Sequence, residues 1–295
     1  MRNFFNDLFN LKAYSKELKF IVPRDKYGRK YSTFNPTIIV TQDGYIIICR
    51  IANYVITDTG YELLNDDKHI KTTNIMLYMD KKFKFKGQKQ INGYSPIYPK
   101  FNAGLEDCRL VSHKNEIYFT ATCFELDESN IARIALCKLN NNDIEEIRLI
   151  PEVSKGRPEK NWMPIVLKNE LMFIYYVDPL IIVNKNGEIV HRESFNKFPN
   201  MRGGAAMFYN NGILVIGHEV DIKNNYYHRF VYYDNNLKLT KASKLFYFVD
   251  IGIEFVCGIC ISHDDKIIIT SGINDNRAFA FEISRKYLES ILLNA

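Results

Sequence analysis

The chain has 295 residues, of which 46% are hydrophobic, 25% charged and 14% aromatic. This composition excludes a disordered or low-complexity protein. Thirty-nine basic against 34 acidic side chains leave a net charge of +5, spread along the chain. Such a mild balance suits contact with anionic groups but is no nucleic-acid footprint.

No apolar run reaches the roughly 18 residues that cross a bilayer, so no membrane span is expected. The start, MRNFFNDLFNLKAYSKELKF, carries Asp7 inside its apolar part and lacks a small-residue cleavage site, unlike a secretory signal. Six cysteines scattered through apolar runs fit reduced, packed thiols and predict a cytoplasmic protein. Cys257 and Cys260 form a CxxC within FVCGICIS, a strand-like run without the helix of a redox site. With no second Cys or His pair at zinc spacing, they read as core residues, and no metal is expected.

Helical periodicity is confined to the two ends. Phe5, Leu8 and Phe9 fit one face of a short N-terminal helix. Ile283, Tyr287, Leu288, Ile291 and Leu292 form a better apolar stripe near the C-terminus. Between them lie short runs of Ile, Val, Tyr, Phe and Thr broken by Asn, Asp, Gly and Lys, which read as strands.

One pattern recurs in that region: an apolar strand, a tight polar turn and a second apolar strand. It appears as TIIVTQDGYIIICR, CRLVSHKNEIYFTAT, MPIVLKNELMFIYY, AAMFYNNGILVIGH and CGICISHDDKIIITSG. The turns centre near Gly44, Asn115, Asn169, Asn211 and Asp265, about 42 to 71 residues apart. A hairpin returning at this period predicts a β-propeller, here all-β and five-bladed. Runs such as ARIALCKL, PLIIVNKNGEIVHRE and YHRFVYYDNNLKLTKASKLF supply outer strands. The expected layout is an N-terminal extension (1–30), the propeller (31–283) and a C-terminal helix (284–295). The alternative is a generic β-sandwich or barrel.

If the first strand of each hairpin lines the axis, its start and its partner's end share one face. Strand starts carry Asn35, Glu106–Asp107–Arg109, Glu159–Lys160–Asn161–Trp162, Arg202 and Glu254. Partner ends carry Arg50, Asn53–Tyr54, Asp178, His218–Glu219 and Asn274–Asp275. Polar groups from every blade should therefore converge on one mouth, the default position of an active site.

Within that set GLEDCRL (104–110) is the sharpest segment, with two carboxylates and an Arg ahead of an inner strand. One carboxyl can donate a proton, and Arg can hold an anion or a sugar hydroxyl. A salt-bridged strand start is the plain alternative. EKNWMP (159–164) adds Lys160, the amide of Asn161 and the only Trp, Trp162. Amides for hydroxyls and a ring for sugar CH faces suit a saccharide, whereas a capped strand with a packed Trp needs no ligand. RGGAAMF (202–208) sets Arg202 before two glycines that permit close backbone approach. Arg157, Lys160, Arg202 and His218 can together bind one phosphate, since each donates to oxyanions. Asn53, Tyr54, Asp178, Glu254 and Asp275 complete the candidate sugar-binding set, or simply cap strands. The chain has no Walker loop, no GxGxxG, no HExxH and no DxD triplet.

A five-bladed propeller with GLEDCRL on an inner strand resembles the mannoside phosphorylases of glycoside hydrolase family 130. It is also similar to the mannosyltransferase/phosphorylases of glycosyltransferase family 108. Their Gly-x-Glu-Asp-Pro-Arg motif carries the catalytic Asp, which Asp107 matches, while Cys108 stands at the family's Pro. Lys160, Arg202 and His218 correspond to the family's phosphate-binding Lys, Arg and His. The resemblance extends over roughly residues 31–283 and is close only in the EDxR segment; EKNWMP departs from the phosphorylase wording.

The resemblance implies an inverting transfer of a glycosyl group, mannosyl in that family, with phosphate or a sugar phosphate as co-substrate and no further cofactor. The enzyme would be a glycoside phosphorylase, or a glycosyltransferase using a sugar phosphate or nucleotide sugar. Asp107 would protonate the leaving oxygen, because phosphate is itself the nucleophile. Its partners would be an oligosaccharide or sugar phosphate, and an oligomer is compatible with the sequence. An inverting hydrolase would need a second carboxylate roughly 6.5–9.5 Å away, for which Glu106, Glu159, Glu219 and Glu254 qualify by position. A non-catalytic glycan-binding propeller is the alternative of another class.

Overall fold

The computed structural model of the protein describes residues 8–100 and 102–295. Its tight turns come from residues that accept positive φ. Lys114–Asn115, Lys168–Asn169 and Asn210–Asn211 all lie near φ 44–63° and close two-residue hairpins. Paired positive φ values match the natural twist of the flanking strands.

Each hairpin opens an antiparallel sheet. Sheet 1 runs Ser32–Thr41, Gly44–Ala52, Thr72–Asp80 and Phe85–Gln90; sheet 2 runs Glu106–His113, Glu116–Cys123, Arg133–Asn140 and Asp143–Leu149. Sheet 3 runs Met163–Leu167, Glu170–Tyr176, Leu180–Asn184 and Ile189–Glu193. Sheet 5 runs Glu254–Ile261, Lys266–Ile273 and Arg277–Ser284, and Tyr14–Glu17 adds its outermost strand. The first strands of the sheets touch in cyclic order and close a ring, the radial arrangement of a propeller.

The structure has four regular four-stranded blades rather than five. The fourth hairpin, Arg202–Tyr209 and Gly212–Val220, opens sheet 4, a wider seven-stranded sheet. Both chain ends add to it: Phe9–Asn10 pairs with Phe246–Tyr247, and Leu293–Asn294 with Lys241–Ala242. Unpaired strand edges are satisfied by these segments, so the ends latch the ring.

The same pairing corrects the N-terminal helix. Phe9 and Asn10 are strand, and Phe9 packs its ring 5.8 Å from that of Phe246; Phe5 lies outside the described residues. At the other end the helix spans Arg285–Ile291, with the Ser284 hydroxyl accepting from the Tyr287 N–H at 3.1 Å. Leu288 and Leu292 enter the core with Ile283, as the apolar stripe predicts. Among the described residues no helix is long and apolar enough to cross a membrane. All six cysteines are buried free thiols, and burial pushes the Cys257 thiol up to about 12.

A second regularity sits near the mouth. The first hairpins of sheets 1, 2, 4 and 5 each carry one extra residue on the inner strand, between Phe34 and Thr37, Glu106 and Arg109, Gly203 and Ala205, and Val256 and Gly258. These bulges bend the inner strand and re-aim side chains toward the axis.

Candidate active site

Asn35 (φ 48°) and Asp107 (φ 53°) occupy the bulges of neighbouring inner strands, and Asn161 (φ 64°) precedes the next inner strand in the same conformation. Asn and Asp enter the left-handed region more readily than other residues with a Cβ. The Asn35 amide donates to Asp107 Oδ1 at 2.8 Å. Gly272 permits this contact, because a Cβ there would lie 2.2 Å from Asn35 Oδ1.

Arg50, at the end of the second strand of sheet 1, holds both carboxylates. Its Nη1 donates to Asp107 Oδ1 at 3.0 Å and its Nη2 to Glu106 Oε1 at 2.5 Å. Burial would weaken its proton affinity, but the charges of Glu106 and Asp107 raise it instead. The two carboxyls are driven apart. For Glu106, burial outweighs Arg50 and raises the pKa, with the Asp107 charge adding to the rise. For Asp107, burial is overcome by Arg50, Arg109 and the Asn35 hydrogen bond, and the pKa falls below the usual range. Environments that separate two carboxyls in this way set up an acid and a base.

The loop before this pair is clamped from below. Buried Glu125 accepts from the N–H of Ala103, from Gly104 at 3.2 Å and from the Tyr94 hydroxyl at 2.7 Å. Gly104 has φ 81°, and a Cβ there would sit 2.3 Å from the Thr72 carbonyl. Tyr54, Asp275, Lys160 and Tyr226 surround the pair closely enough to couple electrostatically. Asp107 and Arg50 act on Asp275, whose pKa is raised first by burial and then by Asp107. Lys160 opposes the rise at Glu106. Burial raises the Tyr54 and Tyr226 hydroxyls, with Asp275 and Asp107 among the charges adding to both.

Beside the pair, Lys160, Asn161, Tyr175, Tyr176 and Arg202 line a cavity of about 300 Å³. Tyr176 and Arg202 also border an adjoining cavity of about 390 Å³. A larger one, about 710 Å³, opens among the hairpin turns around Lys114, Lys138 and Asn169 and contains none of the predicted site residues.

Several predicted ligands have internal partners in the fold. Arg109 is buried and donates to the Gly204 carbonyl at 2.8 Å, the Asp107 carbonyl at 2.9 Å and Asn161 Oδ1 at 3.2 Å, bolting three sheets together. Asn53 spends its amide on Asp67 at 2.8 Å, the His69 carbonyl at 3.1 Å and the Lys71 N–H at 2.6 Å. Trp162 is 1% exposed, donates to Glu159 at 3.2 Å and packs edge-on to Tyr175, so its face is not free for a sugar. Asp178 accepts four backbone N–H groups from residues 195–198. Glu254 accepts from the N–H groups of Phe248, Val249 and Asp250. For Asn53, Asp178 and Glu254 a charged or amide group at a strand end satisfies a loop that has no ladder partner of its own.

The predicted anion set also divides. Lys160 and Arg202 are exposed at the cavity. His218 is 1% exposed, stacked on Tyr226 at 5.2 Å, and burial followed by the charge of His228 lowers its pKa well below the ordinary value. A neutral buried imidazole cannot supply phosphate with charge. Arg157 lies exposed on the preceding loop, tied in through its carbonyl, which accepts from Arg133 at 3.1 Å. The glycines of RGGAAMF do permit close approach: Cβ atoms at Gly203 and Gly204 would lie 2.5 Å from the Asn161 carbonyl and 2.6 Å from the Ile216 carbonyl. Sequence reasoning placed Arg50 and Asn35 at the mouth but gave neither a role. Their signal was positional, as the first blade's counterparts of the GLEDCRL segment.

No family model matches the chain, and no curated protein matches it in sequence. Solved structures do. A β-1,2-mannobiose phosphorylase from Listeria innocua aligns with a TM-score of 0.65 and 14% identity over 95% of this chain and 99% of that one. A GDP-Man-dependent mannosyltransferase from Leishmania mexicana aligns at 0.59 with 14% identity over 87% and 86%. A family 117 glycoside hydrolase from Zobellia galactanivorans aligns at 0.57 with 13% identity over 93% and 92%. At these identities the likeness establishes the β-propeller fold.

Proposed function

We propose that the protein is a carbohydrate-active enzyme that transfers a glycosyl group, mannosyl in the first instance, with inversion and with phosphate or a sugar phosphate as co-substrate. The wider sheet serves as the fifth blade. The observation that carries this reading is the Glu106–Asp107 pair on Arg50, with Lys160 and Arg202 at the adjoining cavity.

In this reading the pair supplies the one proton that an inverting phosphorolysis needs. Asp107 delivers it to the leaving oxygen. Glu106, the carboxyl with the raised pKa, carries the proton while the site is empty and passes it to Asp107 as substrate binds, so that both carboxyls are ionised once the leaving oxygen has taken it. Lys160 and Arg202 offset the charge of the incoming phosphate, and among the described residues neither is held in an ion pair. Asp275, the side-chain N–H groups of Asn161, and Tyr54, whose hydroxyl donates to the Asp275 carbonyl at 3.2 Å, orient sugar hydroxyls. The chain's structural likeness to phosphorylases and a mannosyltransferase is consistent with this chemistry, and its likeness to hydrolases makes water the competing nucleophile.

The test is product analysis of mannose 1-phosphate incubated with a panel of acceptor sugars. Acceptor-dependent phosphate release with formation of an inverted glycoside is expected. Release of free mannose at the same rate without acceptor would assign a hydrolase instead.

A further inference from the structure

Among the described residues Lys160 is held in no ion pair, although its charge is felt at Glu106. Its ammonium is seated instead on an aromatic ring, with Nζ 5.3 Å from the centroid of Phe124. Phe124 is half-buried and does not line the cavity that Lys160 borders.

Both partners are fixed from behind. Glu159 donates its N–H to the Ala132 carbonyl at 2.8 Å, and its carboxylate accepts from Val153, Ser154 and Trp162. On the other side of Lys160, Asn161 takes φ 64° and accepts from Arg109 at 3.2 Å. The backbone of Lys160 is thereby held, while its side chain has rotamer freedom of its own. Phe124 precedes Glu125, whose carboxylate clamps Ala103 and Gly104 and whose carbonyl accepts from Ile97 and Tyr98 at 3.1 and 3.0 Å. These two residues, just past the second strand of sheet 2, therefore touch both halves of the site: the loop before Glu106 and the lysine at the cavity.

We infer that Phe124 is a positioning residue that seats the Lys160 ammonium at the cavity edge without neutralising it. The inference deepens the reading above, from which it takes the anion role of Lys160. A carboxylate partner would orient the ammonium equally well, but it would cancel the charge and would have to be displaced by incoming phosphate. The face of an aromatic ring attracts a cation through its quadrupole and leaves the full charge and the outward N–H donors in place. The lysine therefore meets phosphate ordered and still charged, with less side-chain freedom to lose on binding.

The test replaces Phe124 with phenylalanines carrying increasing numbers of ring fluorines, which keep the ring's shape and withdraw charge from its face. Calorimetric titration with inorganic phosphate should show affinity falling along the series, and Phe124→Leu should cost about threefold to tenfold. In a Lys160→Ala background the same series should be flat, because the effect travels through the ammonium. A ring that only packed would give a flat series in both backgrounds, and that result would overturn the proposal. A second readout needs no ligand. The ε-methylene protons of Lys160 should resonate upfield in the native protein, shielded by the ring, and return to ordinary values in Phe124→Leu. Ordinary values in the native protein would sink the proposal as well. If the native protein bound no phosphate, the anion role of Lys160 would fall, and the resonance would still decide the seat.

Discussion

Asn35 and Asp107 occupy the same step of neighbouring inner strands, share a left-handed backbone conformation and are joined by a 2.8 Å hydrogen bond. The bulges of sheets 1 and 2 bring these two residues together at the mouth, and the catalytic proposal depends on that repetition. Asp107 is aimed by the backbone before any side chain is chosen.

Asp107→Asn keeps this conformation, because Asn tolerates positive φ. Turnover should fall by at least about a hundredfold, the usual share of a general acid, with sugar affinity nearly unchanged. Steady-state kinetics on a verified substrate checks this. Near-normal turnover would return Asp107 to a purely structural role.

The raised pKa of Glu106 makes a separate claim about pH. A group that must be protonated loses function as pH rises through its pKa. The alkaline limb of kcat/KM should therefore lie above the ordinary carboxylate range and should move to lower pH in Glu106→Gln, where Asp107, with its lowered pKa, must hold the proton itself. A limb that stays in place in Glu106→Gln would show that the pair does not titrate as one unit.

Among the described residues, Arg50 is the only cation bonded to both carboxylates. Arg50→Met leaves two partly buried acids without their cation, a change that for fully buried pairs costs about 3–5 kcal/mol and here should cost less. Denaturant melts should show that loss at neutral pH. It should be smaller at acidic pH, where protonation removes the stranded charges.

For the anion pocket, Arg202→Ala should weaken phosphate binding by about tenfold or more, in line with a charge-assisted hydrogen bond, and sugar binding far less. His218→Asn should leave phosphate affinity nearly unaltered, since the imidazole is buried and neutral. Calorimetric titration with inorganic phosphate separates the two. A larger effect from His218 would reverse the assignment.

Glu254 supplies a stability test. Burial pushes its carboxyl up to about 7, against its three backbone hydrogen bonds. The folded state therefore keeps a proton that the unfolded chain releases near the ordinary carboxylate pKa. Its contribution is greatest below that value and is lost as pH rises toward 7, by up to about 3 kcal/mol. Unfolding free energies measured across that window should fall in the native protein and stay flatter in Glu254→Gln.

The hairpin repeat was legible in the sequence because strand periodicity and turn chemistry are local. Lys-Asn and Asn-Asn pairs announced turns that the backbone takes up at Asn115, Asn169 and Asn211. The face on which Asp107, Lys160 and Arg202 lie followed from strand direction alone. The wider fourth sheet did not, because both chain ends join it, the N-terminal strand pairing with residues more than 200 positions away and the C-terminal strand with residues just over 50 away. Nor could the sequence separate ligands from braces. Arg109, Asp178 and Glu254 have the same chemistry as Asp107, Lys160 and Arg202, yet their hydrogen bonds close on loop backbone or on neighbouring sheets. The sequence determined which polar groups reach the mouth. Only the tertiary structure decided which of them remain available there, because availability depends on whether a loop packed from elsewhere in the chain has already taken up their hydrogen bonds.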